Sequence, residues 1–368
     1  MQGAFYMPTR VFSGRGCVRG QGEAMKALGR HALIVTGAHS AKSTGALDDL
    51  TAALAANGQG YTVFDGAVPN PTVDSVYAGA AAARAAGADF VAAIGGGSPM
   101  DTAKAIALLA AGDIPREQLF AGIGDRPALP IVCIPTTSGT GSEVTQYAVL
   151  TNDAAQTKTS LLGPQLFPRL AYLDGGYTDR LPRRVTVNTA IDALSHCVEG
   201  LLSRQACGIS DALAIEGCRR IAACFDALER DGLTPEQRDS LMLASTLGGM
   251  VISGTSTVAV HAMGYPLTYH HGIEHGRANG LLLGAFVEFC AARAPERAAL
   301  ALAACGCADG RALSKAMARL LGERESITRD ETAAYAHLAA PTGNVAKSVA
   351  VPTEAEIQAL YESSLNIL

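Results

Sequence analysis

The chain has 368 residues, of which 48% are hydrophobic and 17% are charged, and its formal net charge at pH 7 is −5. A chain of this length is expected to form two domains with ample buried cores. The acidic balance argues against a nucleic-acid-binding protein, which usually carries a basic excess.

No targeting or membrane segment is expected. The N-terminal stretch MQGAFYMPTRVF lacks the basic start and apolar run of a secretory signal. The alanine-rich stretches are interrupted before they reach the roughly 18–20 apolar residues that a membrane helix needs. The nine cysteines are scattered without a CxxC pair, as in proteins with reduced thiols. The sequence therefore predicts a cytoplasmic protein without a membrane partner.

The two halves of the chain differ in pattern. In the first half, short apolar runs alternate with alanine-rich segments of helical length; the runs span 32–36, 61–64, 90–94 and 131–134. This alternation predicts a mainly parallel α/β sheet with strands buried on both faces. From about Pro182 onward, amphipathic stretches predict an all-α domain; examples are 210–228, 235–252 and 310–321. We expect an α/β domain over 1–180 and a helical domain over 181–368.

A glycine-rich loop follows the apolar run at 90–94. Gly95, Gly96 and Gly97 allow the backbone to approach a ligand closely. Ser98 is predicted as the N-cap of the next helix, with Asp101 in its first turn. A helix N-terminus after such a loop favours a pyrophosphate, although the loop is neither GxGxxG nor a Walker loop. The alternative is a helix that is merely well capped.

A second loop, PTTSGTGS at 135–142, follows the next apolar run. Its closely spaced hydroxyls suit the neutral polar edge of a ligand, such as a ribose, a phosphate or a carboxamide. The alternative is an ordinary Ser/Thr-rich turn, which is less favoured because the loop repeats the arrangement of the first one.

Asp192 and His196 lie four residues apart in VNTAIDALSHCVEG, which reads as a helix. Residues with this spacing share a helix face, so the pair forms either a side-chain hydrogen bond or two ligands of one metal ion. Four of the eight histidines fall between His261 and His275. This clustering favours a metal site of Asp192, His196, His261 and one further histidine. Imidazoles with a carboxylate suit Fe(II), Zn(II), Co(II), Ni(II) or Mn(II) rather than calcium.

Taken in order, these motifs resemble the iron-containing (group III) alcohol dehydrogenases of the dehydroquinate synthase-like superfamily. The resemblance covers nearly the whole chain through MPTRVFSGRG, VPNPT, GGGSPMDTAKA, PTTSGTGSEVT, the segment around Lys158, DALSHCVE, VHAMGY and EHGRANGLLL. It implies a Rossmann-like N-terminal domain and an all-α C-terminal domain, with a nicotinamide cofactor whose reactive end lies near the metal.

The resemblance also assigns roles to residues. The metal ligands that it implies are Asp192, His196, His261 and, as the fourth, His275. The residues that it places at the pyrophosphate are Gly95, Gly96, Gly97, Ser98 and Asp101. The residues that it places on the nicotinamide side are Thr136, Thr137, Ser142 and Thr145, and Lys158 matches a lysine that contacts the cofactor.

The activity implied is that of a metal-dependent, NAD(P)-linked alcohol dehydrogenase or aldehyde reductase. It transfers hydride between the nicotinamide and a small primary alcohol or aldehyde. Fe(II) is the expected metal, with Zn(II) as the alternative, and a homodimer or larger homo-oligomer is expected. A lyase similar to dehydroquinate synthase would want a basic pocket, but the neighbours of the ligands are mostly apolar or neutral, apart from Arg277. The intact ligand set also disfavours a catalytically silent nucleotide-binding protein.

Two positions depart from the family pattern. Tyr265 stands where many relatives carry a second histidine that is assigned to proton relay. An unperturbed tyrosine pKa of about 10 makes it a poorer base near neutrality. We therefore predict that His271 or water serves as the proton relay instead, with the Tyr265 hydroxyl as the less favoured candidate. Glu274 stands where a proline commonly precedes the metal histidine, and its carboxylate either supports the site or is merely solvated.

The loop after the first apolar run bears on the choice of cofactor. NAD-selective relatives carry an acidic residue there that binds the ribose hydroxyls and repels a 2′-phosphate. This chain has Gly37, followed by Ser40, which can donate to a phosphate, and by His39 and Lys42, which can add charge. We therefore predict a preference for NADP(H). The alternative is that these side chains face solvent and that both cofactors are accepted.

Overall fold

The structure is a computed structural model that describes residues 5–368; residues 1–4, on which the prediction of no secretory signal partly rests, lie outside the described residues. The chain divides into two compact units. The first unit is Met7–Leu181. The second unit is Pro182–Leu368, with which Phe5 and Tyr6 are grouped.

The first unit is built on a six-stranded parallel sheet. The strands of the sheet are β1 (Arg10–Ser13), β2 (His31–Thr36), β3 (Gly60–Phe64), β4 (Phe90–Gly95), β5 (Ile131–Pro135) and β8 (Leu170–Leu173). Between β5 and β8, a separate hairpin is formed by β6 (Tyr147–Asn152) and β7 (Thr157–Leu162). The sheet has the order β1-β8-β5-β4-β2-β3, and β6 pairs antiparallel with β7. The four apolar runs of the first half correspond to β2, β3, β4 and β5, so the predicted parallel α/β sheet is confirmed.

Helices cover both faces of this sheet. They are α1 (Cys17–Gly20), α2 (Ser40–Ser43), α3 (Ala46–Ala56), α4 (Val73–Ala85) and α5 (Gly97–Ala111). Successive side chains of a strand point to opposite faces. Accordingly, Leu33 and Val35 of β2 lie in a core with α4 and α5, whereas Ala32 and Ile34 lie in a core with α3. Burial on both faces explains why β2 shows no alternation of polar residues.

The second unit is helical apart from two short strands, β9 (Ser326–Ile327) and β10 (Asn366–Ile367), which pair in parallel. Its helices are α6 (Arg183–Leu201), α7 (Gly208–Ala222), α8 (Phe225–Glu229), α9 (Pro235–Thr255), α10 (Ala259–His271), α11 (His275–Ala291), α12 (Pro295–Ala304), α13 (Gly310–Leu321), α14 (Arg329–Ala339), α15 (Gly343–Ala346) and α16 (Glu354–Ser364). One apolar core runs through this unit.

One amphipathic stretch of the predicted all-α domain contains two helices. The stretch 210–228 divides into α7 and α8, because the backbone N–H of Cys224 donates to the carbonyl of Ile221 and closes α7 with a tight turn. The stretch 310–321 has the predicted bounds of α13.

Between residues 5 and 368, no single helix is long and apolar enough to cross a membrane. The consecutive helices α9 and α10, bent by 110°, meet the criteria of length and composition only as a pair.

Candidate active site

Three helices of the second unit bring the predicted metal ligands together. Asp192 and His196 lie on α6, His261 lies on α10, and His275 is the first residue of α11. Asp192, His196 and His261 are buried, while the side chain of His275 is 25% exposed. Buried ionisable groups of this kind are rarely left without a charge partner or a metal.

The geometry of three of these residues fits one metal ion. Oδ1 of Asp192 lies 3.8 Å from Nε2 of His261 and 3.9 Å from Nε2 of His275. One potential ligand atom from each of the three residues lies within 4.8 Å of those from the other two. Two ligands that are each about 2.1 Å from an ion can be no more than about 4.2 Å apart, so both distances from Asp192 suit a shared ion. One carboxylate with imidazoles suits a transition metal.

His196 lies beside this group rather than within it. Its ring stacks on that of His261, with centroids 4.8 Å apart and an angle of 21° between the planes. Among the described residues, the group that could hold a metal comprises Asp192, His261 and His275. The role of His196 as the fourth ligand stays a prediction.

Asn279, which the sequence analysis did not single out, lies at the centre of the group. Its amide nitrogen Nδ2 is 3.1 Å from Oδ1 of Asp192, 3.2 Å from Nε2 of His261 and 3.3 Å from Nε2 of His275. These three atoms therefore surround one region beside Asn279. The available signal was its spacing, because Asn279 follows His275 by four residues and shares its helix face.

A glycine allows α11 to approach α6 this closely. A Cβ on Gly276 would lie 1.8 Å from the carbonyl oxygen of Asn188 and 3.0 Å from Cβ of Asp192. Any larger residue would therefore separate the two helices and move His275 away from Asp192.

The two proton-relay candidates have different surroundings. The ring of Tyr265 stacks on that of His275, with centroids 5.4 Å apart and planes at 7°. His271 lies ten residues beyond His261 on α10, a rise of about 15 Å. Its Nε2 is 2.9 Å from Oη of Tyr335 and 3.2 Å from Oε1 of Glu331. The observed partners therefore link Tyr265, but not His271, to the metal-ligand group.

Glu274 forms an exposed ion pair with Arg184 of α6. Its carboxylate is thus neutralised at the surface, which favours the solvated interpretation over a role in supporting the site.

In the first unit, the predicted phosphate loop joins β4 to α5, but its cap differs from the prediction. Helix α5 begins at Gly97 with Gly96 as the N-cap and without a side-chain cap, so the assignment of Ser98 as N-cap was wrong. The second loop packs closely against this turn. A Cβ on Gly97 would lie 2.5 Å from Cγ2 of Thr140, and one on Gly96 would lie 2.9 Å from Oγ1 of Thr137. The two loops therefore contact each other at the carboxyl ends of β4 and β5.

Lys104 holds the second loop, and the sequence analysis overlooked it. Its side chain is fully buried, and Nζ donates to the carbonyl and Oγ of Ser142, at 2.7 and 2.8 Å. The same Nζ lies 2.9 Å from the carbonyl and 3.0 Å from Oγ1 of Thr145, and 2.9 Å from the carbonyl of Tyr147. Burial lowers the pKa of Lys104, and the carboxylate of Asp101 opposes that shift. A lysine inside an apolar helix, three residues after an aspartate, was the available signal.

Asp101 belongs to the same network. Its Oδ1 accepts from Oγ of Ser142 at 2.8 Å, and its Oδ2 accepts from the backbone N–H of Val149 at 3.2 Å. Burial raises the pKa of Asp101, and the charges of Lys104 and Lys158 lower it. Lys158, on β7, is thus close enough to act on a residue of the phosphate loop.

The residues predicted to select the cofactor follow β2. Gly37 is the residue after this strand and Ser40 is the first residue of α2. Lys42 lines a cavity of about 410 Å³ together with Arg180; its other lining residues are Ser43, Thr44, Gly45, Gly176, Tyr177 and Asp179. Arg15 pairs with Asp179 through two hydrogen bonds, so that carboxylate is neutralised locally.

Comparison with known proteins gives a family match to each of the two units. The family model for iron-containing alcohol dehydrogenase matches residues 8–175, and the model for the C-terminal part of the Fe-containing alcohol dehydrogenase family matches residues 186–365. The chain is 34% identical to lactaldehyde reductase of Escherichia coli (strain K12) over 277 residues, which cover 73% of this chain and 71% of that protein.

Solved structures are similar over nearly the full length. An iron-containing alcohol dehydrogenase from Thermotoga maritima superposes with a TM-score of 0.91 at 36% identity, covering 99% of each chain. A sulfoacetaldehyde reductase from Bifidobacterium kashiwanohense, solved in complex with NAD+, superposes with a TM-score of 0.86 at 29% identity, again covering 99% of each chain.

Proposed function

Because the chain belongs to the iron-containing alcohol dehydrogenase family, we propose that Asp192, His261 and His275 hold one divalent metal ion, with His196 as the fourth ligand. The chain is an NAD(P)-linked oxidoreductase of alcohols and aldehydes. The observation that carries the metal proposal is the convergence of a buried carboxylate oxygen with two imidazole nitrogens at 3.8 and 3.9 Å.

The chemistry divides between the bound groups and the chain. A divalent ion supplies Lewis acidity at the oxygen of the alcohol or aldehyde, and the nicotinamide supplies the hydride acceptor or donor. The chain's own residues orient the ligands. Asn279 donates to Oδ1 of Asp192, and Tyr265 packs face to face on His275. These contacts restrict the rotation of the carboxylate and the imidazole, as supporting residues around metal ligands commonly do.

The alcohol proton needs an acceptor during oxidation. We assign this role to Tyr265, or to water that its hydroxyl orients, because Tyr265 is the relay candidate in ring contact with a metal-ligand residue. His271 stays a prediction of the sequence, and its contacts with Tyr335 and Glu331 favour a role in joining α10 to α14.

We propose that the two loops of the first unit bind the cofactor. The free backbone N–H groups at the start of α5 suit a pyrophosphate contacted by Gly95, Gly96, Gly97 and Ser98. Thr136 and Thr137 extend from the end of β5 as candidates for the nicotinamide side, with Lys158 as a further contact. Ser142, Thr145 and Asp101 bind to Lys104 or to one another, so we expect them to shape the loop as well as contact the cofactor.

The finer assignments are also proposals. NADP(H) is favoured over NAD(H), because Gly37 carries no carboxylate and Lys42 adds positive charge beside Ser40. Fe(II) is the metal that the family name suggests, and Zn(II) suits the same donors.

Small primary alcohols and aldehydes are the proposed substrates, since lactaldehyde reductase is among the similar proteins. We further propose a cytoplasmic homodimer or larger homo-oligomer; the nine cysteines are all free thiols, as a reducing compartment would require.

The test is metal removal and reconstitution. Chelated protein should lose turnover with 1,2-propanediol, ethanol and sulfoacetaldehyde but keep its affinity for NADPH, measured by cofactor fluorescence. Fe(II) or Zn(II) should restore turnover. The variant His196→Ala tests whether His196 is the fourth metal ligand. We expect weaker metal binding in this variant, whereas unchanged metal affinity would show that His196 is not a ligand. Full activity of thoroughly chelated protein would contradict the metal proposal.

A further inference from the structure

Glu199 shares a face of α6 with two of the predicted ligands. It follows Asp192 by seven residues and His196 by three, spacings that place all three side chains on one side of a helix. Glu199 is fully buried, with 0% exposure. A carboxylate is rarely buried so completely without strong compensation, so its partners indicate what it does.

Those partners all belong to the start of α10. Oε1 of Glu199 accepts from the backbone N–H of Val258 at 2.9 Å and from that of His261 at 3.2 Å. Val258 is the N-cap residue of α10 and has no side-chain cap of its own. Glu199 therefore supplies the cap from a neighbouring helix, where the positive end of the helix dipole also favours a carboxylate.

The second oxygen of Glu199 contacts the imidazole of His261. Oε2 is hydrogen-bonded to Nδ1 of that ring. An ionised carboxylate can only accept, so the proton of the neutral imidazole lies on Nδ1. Nε2 then keeps its lone pair, and this is the atom that lies 3.8 Å from Oδ1 of Asp192.

From this arrangement we infer that Glu199 is a positioning residue of the metal centre, which fixes the tautomer and the ring orientation of His261. The inference rests on the proposed metal site and adds a residue to it. Histidines that bind metals commonly donate their second ring N–H to a carboxylate in this way. Through the same side chain, α6, which carries Asp192, is tied to the first turn of α10, which carries His261.

Substitution by glutamine separates capping from tautomer control. In Glu199→Gln, the side-chain oxygen retains the hydrogen bonds from Val258 and His261. The amide nitrogen then faces Nδ1 of His261. Because an amide nitrogen only donates, Nδ1 must become the acceptor and the proton must move to Nε2, where it blocks metal binding. A purely structural cap would be nearly unaffected by this change.

The experiment compares full-length wild type with Glu199→Gln. Zn(II) affinity is measured by competition with a chromophoric chelator, and thermal unfolding is followed without metal. We expect about 10- to 100-fold weaker Zn(II) binding in Glu199→Gln, with metal-free stability and NADPH affinity close to wild type. Glu288→Gln, at an exposed position, is the control for capping alone. Glu288 accepts from the backbone N–H of Gly310 at the start of α13, so it also caps a neighbouring helix.

A second measurement keeps the inference testable if the variant folds poorly. Imidazole ¹⁵N spectra of metal-free wild type at about pH 8, above the ordinary histidine pKa, should show His261 protonated at Nδ1, with His261→Gln providing the assignment. Protonation at Nε2 in wild type, or undiminished Zn(II) affinity in Glu199→Gln, would overturn the role of Glu199. Failure of wild type itself to bind metal would instead contradict the proposed function, because the ¹⁵N result does not depend on metal.

Discussion

The ring of Tyr265 lies face to face with the ring of His275, with centroids 5.4 Å apart and planes at 7°. Tyr265 also contacts the ring of His261 edge-on, at 6.4 Å. The family resemblance implies a histidine at this position, with an unperturbed pKa of about 6.5, whereas the unperturbed pKa of a tyrosine is about 10. Its contacts with two of the proposed metal ligands are the reason for which we propose the phenol as the proton relay.

We expect Tyr265→Phe to lower kcat for alcohol oxidation by about 100-fold or more, the usual contribution of a general acid or base. The phenyl ring keeps the stacking on His275, so metal content should stay at the wild-type level. Steady-state kinetics over a range of pH, with metal analysis of the same samples, measures both quantities.

Two variants on the same helix serve as controls. Tyr269→Phe removes a phenol one turn further along α10 and should leave kcat within about twofold of wild type. His271→Asn should leave the pH–rate profile unchanged. If His271→Asn alters the pH–rate profile and Tyr265→Phe keeps the wild-type kcat, then His271 rather than Tyr265 is the proton relay.

The metal site was partly predictable from the sequence, because two of the predicted ligands share a helix. The spacing of Asp192 and His196 fixes a common face without any knowledge of tertiary structure. The arrival of His261 and His275 at that face depends on how α10 and α11 pack, which no local pattern specifies. The spacing of Asn279 from His275 and of Glu199 from His196 was available in the sequence, but their hydrogen bonds to Asp192 and His261 join different helices and could not be predicted from one helix.

In the first unit, too, some elements could be predicted from the sequence and others could not. Strands β2, β4 and β5 were predicted because burial on both faces leaves continuous apolar runs. The expected burial on both faces was wrong for β3, which lies at the edge of the sheet with Tyr61 and Val63 exposed. Strands β1 and β8 have four residues each and escaped notice, as did the hairpin of β6 and β7. Ser98 looked like an N-cap by residue type, but Gly96 is the N-cap of α5. The second loop lies so close to Gly96 and Gly97 that a Cβ at either position would be crowded, and residue type alone does not reveal this packing.

Gly276→Ala should destroy the metal site without touching a ligand. The added Cβ meets the carbonyl oxygen of Asn188 at 1.8 Å, so α11 must move away from α6. We expect the free energy of unfolding to fall by about 3 kcal/mol, the upper end of the usual cost of overpacking, because the obstacle is backbone. Zn(II) affinity should fall at least tenfold in a chelator competition.

The control for this variant is Gly208→Ala, at the first position of α7, where an added Cβ has no neighbour within 4 Å. It should leave both stability and metal affinity nearly unchanged. Wild-type Zn(II) affinity in Gly276→Ala would mean that the close approach of α6 and α11 is not needed for the site.

Lys104→Met should weaken cofactor binding, because the Lys104 side chain holds the second loop from beneath. The substitution removes the donor shared by Ser142, Thr145 and Tyr147 and one of the two positive charges that act on the buried Asp101, the other being Lys158. Leaving a buried acceptor without its donor usually costs about 1–3 kcal/mol. We expect a loss of stability of that order in urea unfolding and at least tenfold weaker NADPH binding.

The double variant Asp101→Asn, Lys104→Met tests whether the charges act together. Removing both should be less destabilising than the sum of the single changes, because neither charge is then left alone. Additive effects in this double-mutant cycle would show that Lys104 acts only through its hydrogen bonds to the loop.

Gly37→Asp should shift the cofactor preference from NADP(H) toward NAD(H). Gly37 follows β2, where a carboxylate accepts hydrogen bonds from the ribose hydroxyls and repels a 2′-phosphate. The backbone at this position accepts a Cβ: an added Cβ on Gly37 would lie 3.5 Å from the carbonyl oxygen of Ala67, an ordinary contact, and φ is not in the left-handed region. We expect the ratio of kcat/KM for NADP(H) over NAD(H) to fall at least tenfold, as measured with one alcohol and one aldehyde.

Gly37→Asn is the matched control, because it has nearly the same shape as aspartate without the charge, and Gly37→Ala adds only the Cβ. If repulsion of the 2′-phosphate governs the choice, Gly37→Asn should retain most of the NADP(H) preference. Lys42→Ala should lower kcat/KM for NADP(H) more than for NAD(H), and by a larger factor at low ionic strength, where charge attraction is less screened. A wild-type enzyme that uses NAD(H) as efficiently as NADP(H) would show that the absence of a carboxylate at Gly37 does not set the preference.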